Sequence, residues 1–247
     1  MPLLTRNMPD FARSGSAVFR FYQLLVANMR TLENLDTTRP VVLQVDGLSF
    51  AYPQRPLFAG LSAGIPGGVC LVLGGDGSGK STLLRLLAGE LAAQAGALQI
   101  NGAQLAAEPG AYRQQVFWVD PRTGDHDQIT ALQYFAQQRL RYPGFLRMDS
   151  AHLAELVTGL SLTEHMEKPL YMLSTGSKRK VWLAAAFAAG ATVTLLDDPF
   201  AALDKPSIVF VLRQLAGLAN NPTRSWVVAH YDGLDGVPLA KVIELPD

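Results

Sequence analysis

Three short stretches of the chain are apolar at nearly every position and lie between turn residues or polar segments: Val69-Cys70-Leu71-Val72-Leu73, Val193-Thr194-Leu195-Leu196 and Trp226-Val227-Val228-Ala229. A strand with one wet face alternates polar and apolar positions, whereas such continuous runs suit strands covered on both faces, as in a parallel sheet. Val41-Val42-Leu43-Gln44-Val45 and Leu48-Ser49-Phe50-Ala51-Tyr52 read differently. They predict two half-buried strands at a sheet edge, separated by a turn at Asp46-Gly47. Ile65-Pro66-Gly67-Gly68 predicts another turn, and residues 116–119 and 242–245 are further expected strands.

Helical spacing appears first at Leu83, Leu84, Leu87 and Leu91, which predicts a helix over 81–93 directly after a glycine-rich loop. From about 125 to 188 the pattern is helical throughout: 131–141, stopped at Pro143-Gly144, then 150–159 and 177–189. Strand–loop–helix alternation interrupted by such a segment predicts an α/β fold: a mostly parallel sheet flanked by helices, an antiparallel edge, and a helical subdomain inserted at about 125–188. Residues 1–40 lack these signals and are expected to be an extension. No internal repeat or low-complexity tract occurs.

Composition narrows the function classes. The chain has 247 residues, 49% of them hydrophobic, which suits a globular domain with a substantial core. Lys plus Arg and Asp plus Glu are 21 each, so no general field attracts nucleic acid, and the one basic run, Lys178-Arg179-Lys180, is short. The single cysteine, Cys70, lies within an apolar run and is expected to act as a small core residue in a reducing compartment. The nearest candidate for a membrane span, the sixteen uncharged residues 181–196, falls short of the ~20 residues a span needs and is divided by Gly190.

Chemistry concentrates in two places. Gly74-Gly75-Asp76-Gly77-Ser78-Gly79-Lys80-Ser81-Thr82 fits the pattern Gly-x-x-x-x-Gly-Lys-Ser/Thr, between an expected buried strand and an expected helix. Glycines let backbone N–H groups converge on phosphates, Lys80 brings a cation to the β- and γ-phosphates, and the Ser81 hydroxyl suits Mg²⁺. The helix that follows adds its N-terminal partial charge. In Leu195-Leu196-Asp197-Asp198-Pro199, an acidic residue leaving a buried strand can hold Mg²⁺ from the side opposite Ser81. ATP with Mg²⁺ is the expected ligand. No Asn-Lys-x-Asp motif for reading guanine occurs.

With these residues in order, 41–247 resembles an ATP-binding cassette domain of the P-loop NTPase class. Tyr52 stands where the family stacks an aromatic ring on adenine. Leu173-Ser174-Thr175-Gly176-Ser177 resembles the Leu-Ser-Gly-Gly-Gln signature, continued by basic residues. Asp197 and Asp198 match the family's magnesium aspartate and catalytic glutamate, and Ala202-Leu203-Asp204 matches the loop that crosses the dimer interface. His230, 32 residues after Asp198, matches the γ-phosphate histidine. The resemblance implies that Ser174, Thr175 and Gly176 meet the nucleotide of a second cassette, so that two chains enclose two ATP molecules.

The departures from the family pattern are Asp76 for asparagine, Thr175 and Ser177 in the signature, and Asp198 for glutamate. Asp120, with Arg122 two residues on, stands nearest the position of the family's metal-contacting glutamine.

The resemblance implies an ATPase on the cytoplasmic face of a membrane that powers transmembrane permease subunits on separate chains, with no nucleic-acid partner. The short helical insertion is similar to that of small export cassettes such as those of cytochrome c haem maturation. The alternative implied by the departures is a degenerate cassette that binds ATP with little hydrolysis as a regulatory partner.

Overall fold

The computed structural model describes residues 39–53 and 55–246, so the expected extension lies outside the described residues up to position 38. Two sheets form the frame. The parallel one has the order β6-β7-β8-β3-β9 and consists of β3 (Gly68–Leu73), β6 (Val116–Phe117), β7 (Val193–Asp197), β8 (Ser225–His230) and β9 (Lys241–Glu244). The antiparallel one, β2-β1-β4-β5, is built from β1 (Val41–Tyr52), β2 (Arg55–Pro66), β4 (Ala95–Ile100) and β5 (Ala103–Gln104).

The continuous apolar runs are explained by what covers each face of the parallel sheet. Along β3, Val69 and Leu71 join one cluster while Cys70 and Val72 join the other, and along β8 Trp226 and Val228 alternate with Val227 and Ala229 in the same way. On one side lie α3 (Ala131–Arg141), α4 (Ala151–Gly159), α5 (Thr175–Ala188) and α6 (Lys205–Leu218). On the other lie α1 (Lys80–Leu87), the short α2 (Pro109–Gln114) and the antiparallel sheet. Cys70 is fully buried there, and desolvation pushes its thiol up to about 11. Among the described residues, no helix is long and apolar enough to cross a membrane.

Several expectations are corrected in detail. Asp46-Gly47 does not separate two strands. β1 runs through it, with Gly47 at φ 61 and the register shifted between Val45 and Leu48, so the dipeptide forms a bulge. The helix after the glycine loop ends at Leu87 because Gly89 takes φ 69, a left-handed stop. The strand at 116–119 is only two residues long. α5 begins at Thr175, two residues before its expected start, so Thr175 and Gly176 belong to its first turn.

Candidate functional site

The phosphate loop leaves β3 and enters α1. Gly77 and Gly79 adopt φ 82 and 100, values an L side chain rarely takes. A Cβ on Gly74 would lie 2.5 Å from Ser78 Oγ, so the first turn of the loop closes only around glycine. The Lys80 ammonium donates to the carbonyl oxygens of Gly74 and Gly75, both at 2.6 Å, and is thereby pinned over the loop. Ser78 Oγ is buried with no hydrogen-bond partner. Together with the first-turn N–H groups of α1, these features fit a phosphate chain.

A cavity of about 400 Å³ opens above the loop. It is lined by Asp76, Gly77, Gly79, Lys80, Ser81 and Thr82 from the loop, by Asp197 at the end of β7 and Asp198 just after it, and by His230 at the end of β8. Tyr52 closes one side, its hydroxyl 3.3 Å from that of Thr82 and its ring edge-on to Phe50. β3, β7 and β8 are parallel neighbours, so segments more than a hundred residues apart deliver their chemistry to one end of the sheet.

The two aspartates serve different geometries. Asp197 is half-buried and lines the cavity with Ser81, and burial holds its carboxyl above the ordinary value against the opposing pull of the Ser81 hydroxyl and of Arg122. A hydroxyl and a carboxylate brought together in this way, beside a phosphate cradle, form a donor set suited to Mg²⁺. Among the described residues, no group of three or more His, Cys, Asp or Glu side chains forms a metal site by itself, so the remaining ligands would come from phosphate and water. Asp198 takes φ 42, and its Oδ1 lies 3.2 Å from Nδ1 of the buried His230. Phe200 and Tyr231 pack against the imidazole.

Other residues singled out from the sequence lie elsewhere. Asp120 accepts the Arg122 N–H at 2.9 Å and lines a second cavity of about 590 Å³, whereas Arg122 lines both. Ser174 caps α5 by accepting the Ser177 N–H at 3.1 Å, and neither Ser174, Thr175 nor Gly176 lines the phosphate-loop cavity. Asp204 caps α6 through the Ser207 N–H at 2.9 Å and pairs with Lys180 at 2.6 Å.

Sequence reasoning passed over Arg55, which lines the cavity and brings its guanidinium to 3.4 Å from where a Cβ on Gly77 would be. It also missed the part played by Arg179, which lines the cavity and donates to the Asp198 carbonyl oxygen. Arg55, at the start of β2, carries no local pattern that could have flagged it, and the basic run around Arg179 gives no sign of which distant segment its side chains reach.

A sequence model of the family described as ABC transporter matches residues 60–201. The cytochrome c biogenesis ATP-binding export protein CcmA of Rhodospirillum rubrum is 36% identical over 170 residues, 68% of this chain and 71% of that protein. The protein of the same name from Pseudomonas savastanoi pv. phaseolicola is 32% identical over 180 residues, 72% and 83% of the two chains. Among solved structures, a putative ABC transporter ATP-binding protein from Pyrococcus furiosus superposes with a TM-score of 0.67 at 22% identity, covering 82% of this chain and 96% of that one. An ATP-binding subunit of an ABC transporter gives a TM-score of 0.66 at 22% identity, covering 76% and 79%. These two superpositions show the shared fold.

Proposed function

The chain belongs to the ABC transporter family, as an ATP-hydrolysing cassette, and from that premise we propose that the phosphate-loop cavity turns over Mg²⁺–ATP to drive an exporter whose spanning part is a separate polypeptide. The observation that carries the proposal is the meeting of Lys80, Ser81, Asp197, Asp198 and His230 around one cavity. The names of the CcmA relatives support an export role. They lend no support to the alternative of a cassette with little turnover.

In this reading the loop N–H groups and Lys80 bind the phosphates, and Tyr52 stacks on the base. Ser81 and Asp197 hold Mg²⁺, which when bound neutralises charge developing on the β- and γ-oxygens. Asp198 orients and polarises the attacking water, while His230, 3.2 Å from that carboxylate, steadies it and faces the γ-phosphate. An aspartate is one methylene shorter than a glutamate, and a displacement of about 1 Å can cost ~100-fold in rate, so turnover is slow. The chain works at the cytoplasmic face of the membrane, beside transmembrane subunits and a second cassette.

The test is phosphate release at saturating Mg²⁺–ATP. Asp198→Asn should abolish turnover while retaining nucleotide. Hydrolysis by that variant at the parent's rate would show that the water is polarised by another group.

A further inference from the structure

Successive helix residues are turned by about 100°, so three neighbours leave a helix in three directions. On α5, Lys178, Arg179 and Lys180 each reach a different segment. Lys178 Nζ pairs with Asp127 at 2.5 Å, in the loop before α3. Lys180 Nζ, on a residue only 8% exposed, pairs with Asp204 at 2.6 Å, at the start of α6. Between them, the Arg179 guanidinium donates through one Nη to the carbonyl oxygen of Asp198.

That carbonyl belongs to the most constrained residue of the cavity. Asp198 sits at φ 42, a region that non-glycine residues occupy at a cost in backbone energy. Its N–H donates to Ala229 O at 2.9 Å, and its carbonyl also accepts the Ala201 N–H at 3.2 Å. β8 therefore holds one side of the residue, and Arg179 with the following turn holds the other. The backbone angles set where the side chain points, so whatever holds the carbonyl also aims the carboxylate toward His230 and the cavity. Arg179 is itself half-buried and lines that cavity.

We propose that Arg179 is a positioning residue for hydrolysis: from α5 it holds the Asp198 peptide in its left-handed conformation, and Lys178 and Lys180 fix the helix turn from which it reaches. The inference rests on Asp198 being the hydrolytic carboxylate. It makes the short basic run a three-way tether, in which the planar guanidinium takes the central contact.

The experiment uses the full chain and compares Arg179→Met, Arg179→Lys and Asp198→Asn. Arg179→Met should lower kcat for ATP about tenfold or more, while ATP affinity by calorimetry stays within about twofold, the split expected when only transition-state alignment is lost. Arg179→Lys, which keeps a cationic donor, should recover most of that rate. In the nucleotide-free Arg179→Met protein, the imidazole NMR signals of His230 should move, because its Asp198 partner has shifted. An unchanged kcat in Arg179→Met overturns the proposal, as does lost ATP affinity at unchanged kcat, which would make Arg179 a direct nucleotide contact. A lysine variant no better than methionine also overturns it. If Arg179→Met does not fold, Arg179→Lys decides: kcat two- to fivefold below the parent at unchanged affinity supports the role, and parental kcat refutes it. Parental turnover in Asp198→Asn removes the underlying reading as well, whereas an inactive Asp198→Asn beside a fully active Arg179→Met removes the positioning role alone.

Discussion

Adjacent aspartates at the end of β7 illustrate how environment divides labour between identical side chains. Asp198 occupies a left-handed backbone position, which aspartate adopts more readily than most residues, and this favours the shorter acid where reach alone would favour a longer one. Asp197 is desolvated, and its carboxyl is held above the usual range. In the metal-free protein the folded state therefore binds this proton more tightly than the unfolded chain does. Stability contributed by the group is accordingly lost as pH rises from the ordinary carboxylate range, near ~3.9, through the raised folded value. Metal-free Asp197→Asn should thus melt above the parent at neutral pH, with the difference closing as pH falls toward that range. Mg²⁺–ATP binding by the parent should weaken on acidification through the same window, while the variant binds the metal poorly throughout. Thermal melts and calorimetry across pH read both effects, and a variant that melts below the parent at neutral pH would contradict the desolvation account.

At the scale of elements, the starts of α5 and α6 are locked to each other. Gly176, in the first turn of α5, approaches the Ala202 carbonyl so closely that an added Cβ would lie 2.4 Å from it. Any larger residue at this position disturbs the chain's own packing before it could affect a partner. Asp204 closes the same junction by capping α6 and pairing with Lys180, which holds its carboxyl well below the usual carboxylate range. Asp204→Ala should destabilise the protein by about 1–2 kcal/mol, mostly through the lost cap, because the carboxylate is half exposed and its ion pair is screened. A depressed pKa contributes stability above the ordinary carboxylate value and loses it as pH falls below, so the parent and Asp204→Ala should converge in acid. Denaturant melts at neutral and acid pH check this, and a gap of constant size would assign the whole effect to packing.

For the whole molecule, neither Ser174 nor Gly176 lines the chain's own phosphate-loop cavity, and on the proposed reading the N-terminal turn of α5 would meet the nucleotide of a second copy. A hydrolysis-blocked Asp198→Asn protein should shift from monomer to dimer when Mg²⁺–ATP is added, because the nucleotide would then be shared between two chains. Sedimentation velocity with and without nucleotide measures the shift. Monomers at saturating ATP and high protein concentration would point to a different cassette as partner.

The sequence by itself determined whatever is contiguous or periodic. The phosphate loop was legible because its chemistry needs nine neighbouring residues in one strand–turn–helix. β3, β7 and β8 were legible because burial on both faces leaves unbroken apolar runs. α3 was bounded as expected, since the Thr130–Gln133 capping box opens it and Pro143 follows its end. β2 escaped notice because Gly60, Gly64 and alternating small residues blur its period, and it is defined by its pairing with β1. Only the tertiary structure decided the contacts that make the cavity more than a loop. Arg55 beside Gly77, Arg179 on the Asp198 carbonyl and the Asp198–His230 pair join segments far apart in the chain. A bond from one side chain to a distant backbone oxygen, or between two residues brought together by strand order, imposes no local spacing, so it exists only once the sheet has assembled.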